Sequence, residues 1–224
     1  MEQNTRLWAD SLFPFVIACV LILTTACNSG TASKNHEERS AGTASNGAGA
    51  SIDMNCLGDH IENPPEVFHY SYKSDIGQDS VDKEADITPQ TMEITIKDKS
   101  GSHNYHGLRS DSASWNRAVL DLTGSGLTGM TARVEFLKDN SATARVAAEA
   151  LNGYQTTKYS IDTTSANSSD KQTFASLFGP GSYDKGTIWV TEQGCPVKLT
   201  LDEAKQGMNG VVDKAHYELA MVRK

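Results

Sequence analysis

Three groups of residues have types and spacings that could carry chemistry. Gly124-x-Gly126-x-x-Gly129 has the glycine spacing of a loop whose backbone N–H groups close on a dinucleotide pyrophosphate. Such a loop must follow a buried parallel strand and open a helix within a βαβ unit. The stretch before Gly124, SDSASWNRAVLDLT, has helical period instead and contains Asp121. Hairpin signals follow it, so these glycines read as a helix stop and a short connector, and no nucleotide is expected. His103-Asn-Tyr-His106 offers two imidazoles three apart, which share a metal when both stand on one helix face. They lie in a Gly/Ser-rich stretch that reads as a loop, with no third ligand near. They are expected to be surface or edge-strand histidines without a metal. Ser80-x-x-Lys83 and Ser182-x-x-Lys185 have the spacing of a serine nucleophile activated by lysine. Neither opens a helix and no Lys-Thr-Gly element follows. No Ser/His/Asp set or carboxylate pair stands out, so neither an enzyme nor a cofactor is expected.

The cysteines, at 19, 27, 56 and 195, say more. Residues 12–23, LFPFVIACVLIL, are uncharged but too few to span a bilayer, which takes about 20 apolar residues. Their length is that of a signal-peptide core, and small polar residues, TTACNSG, follow. The segment before them holds one Arg against two acids, little of the usual positive charge. Leu23-Thr24-Thr25-Ala26-Cys27 resembles the lipobox of bacterial lipoproteins, with Thr24 in place of the usual leucine. The resemblance implies removal of residues 1–26 and acylation of Cys27. Val16-Ile17-Ala18-Cys19 also has suitable letters, but would leave VLIL exposed after the lipid; a soluble secreted form and an uncleaved anchor stay open. Each buried CH2 of an acyl chain contributes about 0.8 kcal/mol of membrane affinity.

Residues 28–55 are Ser, Ala, Gly, Thr and Asn with almost no large apolar side chain, and cannot offset their ordering entropy. With Cys27 they read as a lipidated flexible tether over 27–55, reaching roughly 25–30 Å. If Cys19 leaves and Cys27 is acylated, Cys56 and Cys195 remain. In an oxidising compartment they are expected to pair, clamping the start of the domain to EQGCPVK. Closing so long a loop contributes up to about 4–5 kcal/mol in the chain-entropy model.

The formal charge is −8, and loss of residues 1–26 takes out one cation and two acids, leaving −7. An acidic chain without a basic face is not expected to bind nucleic acid. The remaining residues, 56–224, are of a size for one domain.

Within it, period two marks strands at 66–73 (Phe68, Tyr70, Tyr72), more weakly at 81–87, and at 91–97 (Met92, Ile94, Ile96). Trp115, Ala118, Val119 and Leu122 then fall on one helical face, with a cap among Asp111, Ser112 and Ser114 and a stop at Gly124. Residues 127–138 fit either a helix (Leu127, Met130, Val134, Leu137) or a strand, with helix preferred. Asn152-Gly153 between 144–151 and 154–161 is the strongest short hairpin signal. A short helix in DKQTFASLF and three closing strands complete the domain. Trp115, Trp189 and Tyr217 are expected in the core, where some could line a cavity. The order reads as α+β: a curved antiparallel sheet with two or three helices packed on one side.

Residues 152–159, NGYQTTKY, and the pair GTIWV (186–190) and CPVK (195–198) are similar to a hairpin and a late strand pair of the lipoprotein-carrier superfamily, LolA-like and especially LppX-like. The chain also resembles uncharacterised exported bacterial proteins. The carrier resemblance implies an incomplete barrel plugged by helices, with acyl chains bound between them. Because Cys27 argues against a free shuttle, the expected function is a tethered, non-catalytic lipoprotein that binds or transfers lipid or another hydrophobic ligand. The alternative is an envelope lipoprotein serving only as a protein-interaction module. The expected location is the outer side of the cytoplasmic membrane, or the outer membrane facing the periplasm.

Overall fold

The computed structural model describes residues 52–206 and 212–224, apart from the side chains of residues 125, 126, 206 and 212. Cys19, Cys27, the signal segment and most of the expected tether lie outside the described residues. In order, the chain forms α1 (Asn55–Glu62), β1 (Phe68–Ile76), β2 (Asp79–Ile87), β3 (Thr91–Asp98), β4 (Gly101–Leu108), α2 (Ser112–Thr123), α3 (Ser125–Leu137), β5 (Thr143–Leu151), β6 (Tyr154–Asp162), α4 (Ser168–Phe178), β7 (Tyr183–Val190), β8 (Pro196–Gln206) and β9 (Val212–Arg223). The strands make one antiparallel sheet in the order β4-β3-β2-β1-β9-β8-β7-β6-β5. Two meanders are thus joined through β1 and β9, whose registers pair Tyr70 with Met221 and Tyr72 with Leu219. The sheet is open, with β4 and β5 at its edges. This is the α+β architecture expected, with four helices rather than two or three.

The inner strands carry one apolar face because alternate side chains point the same way. Phe68, Tyr70 and Tyr72 of β1, Met92 and Ile94 of β3, Ile188 and Val190 of β7, Leu199 and Leu201 of β8, and Tyr217, Leu219 and Met221 of β9 are all buried there. The helices supply the other half of the core. Trp115, Ala118 and Leu122 of α2 and Leu127, Met130, Val134 and Leu137 of α3 are buried against the same face. The helical reading of 127–138 is therefore the one adopted; the strand pattern would have buried Ala132, which is exposed.

Local chemistry sets the helix ends. Asp111 accepts hydrogen bonds from the N–H groups of Ala113 and Ser114 and caps α2. At the other end Lys83 of β2 turns inward and donates to the carbonyls of Asp121 (2.6 Å) and Leu122 (3.2 Å). This ammonium sits on the negative end of the helix dipole. Gly124 alone joins α2 to α3. The glycine triplet is thus one junction residue and two helical positions rather than a connector. α2 packs on β3 and β4, and Gly107 permits the approach: a Cβ there would lie 2.7 Å from Ala118 Cβ. Asn152 (φ 56°) and Gly153 (φ 85°) form the expected tight turn between β5 and β6.

The folded part also reaches back into the expected tether. Ile52 and Met54 are buried, and Met54 N–H donates to Glu135 of α3 (2.8 Å). The isolated Ile and Met of this polar stretch were too few to signal it. α1 was unexpected for a related reason. It is two turns long and buries only Leu57 and Ile61, too short a pattern to stand out. Among the described residues no helix is long and apolar enough to cross a membrane.

Candidate functional site

The structure separates the residues that could have worked together. His103 and His106 lie in edge strand β4, not in a loop, so a spacing of three puts them on opposite faces. His103 is bonded to Ser100 Oγ (2.8 Å) and His106 to Glu93 (2.5 Å). Lys83 is held under α2 while Ser80 is exposed on the same strand. Ser182 Oγ donates to the Phe178 carbonyl, and Lys185 reaches toward Asp162 instead.

Cys56 and Cys195 are joined in a disulfide across 139 positions, with Cα atoms 5.3 Å apart. The bridge ties α1 to the turn between β7 and β8, beside the Asp53 N–H bond to the Gly194 carbonyl (3.0 Å).

A charged cluster that the sequence reading missed lies inside the fold. Arg133 of α3 points onto the sheet, where its Nε donates to Asp184 Oδ2 of β7 (2.5 Å) and stands 3.2 Å from Glu203 Oε1 of β8. The three side chains are 3 %, 0 % and 4 % exposed. Phe178 and Phe174 of α4 stack over the guanidinium, at 4.3 and 5.2 Å from their centroids. Burial pushes the Asp184 carboxyl above the usual range, against the pull of Arg133. Burial, then the Glu203 charge, raises the Tyr217 hydroxyl to about 12. Arg133 Nη2 and Asp184 Oδ1 are buried without a hydrogen-bond partner among the described residues. The cluster joins α3 and α4 to β7 and β8, a positioning device sealed from solvent. Its signal was a charge at core-facing positions: Arg133 one residue from Val134, and Asp184 and Glu203 in phase with Ile188 and Leu201.

Among the described residues no helix covers the opposite face of the sheet. Two depressions lie on it, of about 220 and about 280 Å³. The first is walled by His69, Glu84, Asp86, Glu93, Thr95 and Asn104, the second by Lys73, Asp82, Glu84, Lys198, Thr200 and Glu218 among others. Histidines on this face are paired with acids. His216 contacts Asp202 (2.7 Å) and Glu218 (3.0 Å), and these bonds, Glu218 first, hold its pKa above the ordinary value. Trp189, expected in the core, also stands on this face, because Ile188 and Val190 on either side of it point inward. Lys158 and Lys198 flank its ring at 4.8 and 5.1 Å, and its Nε1 donates to Glu149 (2.5 Å).

Comparison with known proteins gives little more. No family model and no curated protein matches the chain. Among solved structures it is similar to MucB in complex with MucA(peri) (5 % identity, TM-score 0.28, covering 77 % of this chain and 55 % of that one). It is also similar to MucB alone (8 %, 0.32, 76 % and 57 %) and to the Pseudomonas aeruginosa MucA/MucB complex (7 %, 0.31, 75 % and 55 %). The chain spans little more than half the length of the chains it matches. At these scores the likeness carries no weight for function.

Among the described residues the interior offers a sealed ion cluster in an apolar core. The exterior offers a broad polar sheet face with shallow hollows.

Proposed function

We propose that this chain is an exported envelope lipoprotein, anchored through Cys27, whose folded domain is a non-catalytic module binding a protein partner on the open face of its sheet. One observation carries the choice over lipid carriage: the space between the sheet and the helices is filled by the protein itself. Phe68, Tyr70, Ile87, Met92, Leu122, Met130, Leu137 and Ile188 are all fully buried there. Both depressions are smaller than the roughly 300–1,000 Å³ of ordinary ligand pockets, and they are walled by charged side chains that an acyl chain would avoid. Carriage would require α1–α3 to part from the sheet. The export signal, the lipobox-like Cys27 and the Cys56–Cys195 bridge support the location.

Two measurements test this. Native mass spectrometry of residues 28–224, made in an oxidising periplasm and incubated with lipid extract, should return the bare chain mass. Bound lipid that survives gentle transfer would restore the carrier reading. In cells, a photo-crosslinking residue at Thr200 on the open face should give a discrete protein adduct, while one at exposed Leu120 on α2 should not. Equal labelling at both positions, or none, would refute the assigned face.

A further inference from the structure

The Cys56–Cys195 bridge has surroundings that a passive crosslink does not need. Cys56 is the second residue of α1, within the first turn. There the positive end of the helix dipole favours negative charge on sulfur. His60 follows one turn later on the same face of α1. Its Nδ1 lies 3.1 Å from Cys56 Sγ and 3.5 Å from Cys195 Sγ. The same nitrogen is 2.9 Å from the Cys56 carbonyl oxygen, which can only accept, so Nδ1 carries the proton. Both sulfurs thus lie beside an N–H that the Cys56 carbonyl engages while the bridge is closed and that can turn to a thiolate once one forms. The two cysteines also differ in exposure: Cys195 is 3 % exposed, while Cys56 is half-buried.

We propose that this bridge is a thiol–disulfide exchange site whose substrate is a dithiol protein. A thiolate of the dithiol attacks Cys56 Sγ, on the more exposed of the two cysteines. The new S–S bond forms to Cys56 as the Cys56–Cys195 bond breaks, and the electron pair leaves on Cys195 Sγ, facing His60 N–H. The second thiolate of the dithiol then attacks its own sulfur in the mixed disulfide. That closes the partner's disulfide and releases Cys56 as a thiolate at the start of α1. The dithiol is oxidised by two electrons and the bridge reduced by two; the two thiolates take protons from solvent. The Asp53 N–H bond to Gly194 keeps α1 beside the β7–β8 turn after the bridge opens, so the thiols stay close enough to be reoxidised. His60 is a positioning residue in this scheme, donating a hydrogen bond to the departing sulfur without giving up its proton. The inference is independent of what the open sheet face binds.

The test is the rate of reduction of the oxidised protein by excess dithiothreitol, followed by alkylation and mass spectrometry. A chelator is included so that adventitious metal does not hold the freed thiols. His60→Ala should slow reduction by about tenfold or more, the loss of one hydrogen bond to the departing thiolate. His60→Gln, which keeps an N–H donor, should recover part of that. Circular dichroism melts of the oxidised variants check that each is folded. A separate reading uses Cys195→Ser: the remaining Cys56 thiol should ionise below the ordinary value of about 8.5, seen in its thiolate absorbance. Equal reduction rates for wild type and His60→Ala would overturn the proposal. So would a Cys56 thiol ionising at or above the ordinary value, or a rate that simply follows global unfolding in urea.

Discussion

Replacing Arg133 by methionine should be among the most damaging single changes in this domain, and the damage should depend on pH in a defined direction. The methionine fills most of the volume, so packing is largely kept. What is lost is the one guanidinium between Asp184 and Glu203, both buried. Lys205 reaches only the outer oxygen of Glu203, at 3.4 Å. Removing one partner of a buried ion pair costs about 3–5 kcal/mol, because the other charge stays buried without compensation. In a domain of this size each kcal/mol moves Tm by about 2–4 °C, so the variant should melt roughly 6–20 °C lower at pH 7.5. Without the cation nothing opposes the burial that already holds the Asp184 carboxyl above its unfolded value. A raised folded pKa favours the fold below the unfolded pKa, near 4, and that benefit is lost as pH rises through the folded value. The deficit against wild type should therefore be small at pH 4.5 and large at pH 7.5. Adding Asp184→Asn and Glu203→Gln should restore much of the loss, since the remaining groups are then neutral. Urea and thermal unfolding by circular dichroism at both pH values measure this. A loss below about 1 kcal/mol at pH 7.5, or the same loss at both pH values, would refute the reasoning.

Two further outcomes follow from other parts of the molecule. Cys27→Ala, expressed in full length in a bacterium, should abolish incorporation of labelled palmitate and shift the protein out of the membrane fraction; continued labelling would move the anchor to Cys19 or to an uncleaved segment. Gly107→Ala should cost about 1–3 kcal/mol by overpacking, because its Cβ would meet Ala118 Cβ at 2.7 Å, and Ala118→Gly in the same chain should recover part of it. Independent, additive losses in that double variant would show that the two side chains do not collide.

Much of the sheet was legible because its signal is local. A strand with one buried face alternates, and Phe68/Tyr70/Tyr72, Met92/Ile94 and Tyr217/Leu219/Met221 alternate cleanly. Asn152-Gly153 announced its turn because the tight turn needs positive φ at both positions. The amphipathic face of α2 and its cap at Asp111 were legible for the same reason. Trp189 was misplaced because size was allowed to outweigh phase: Ile188 and Val190 had already claimed the inward direction. The Arg133 cluster was missed although its three residues sit at core-facing positions of their elements. A single buried charge looks like noise in each element, and only the pairing of α3 with β7 and β8 makes the three one site.

Residue order alone determined the period of each element, its ends and turns, the acidic balance and the export-like front, since each of these depends on neighbours within a few positions. It also narrowed the four cysteines to the pair Cys56 and Cys195. Tertiary structure alone decided what depends on distance in space. It put β1 beside β9 at the centre of the sheet, filled the space under the helices with the protein's own side chains, and brought Arg133 to Asp184 and Glu203. It also set His60 against both sulfurs, a contact across 135 positions that no local pattern encodes. Long-range contacts are chosen by the joint packing of all the faces at once, so a reading made one segment at a time finds the faces and not their partners.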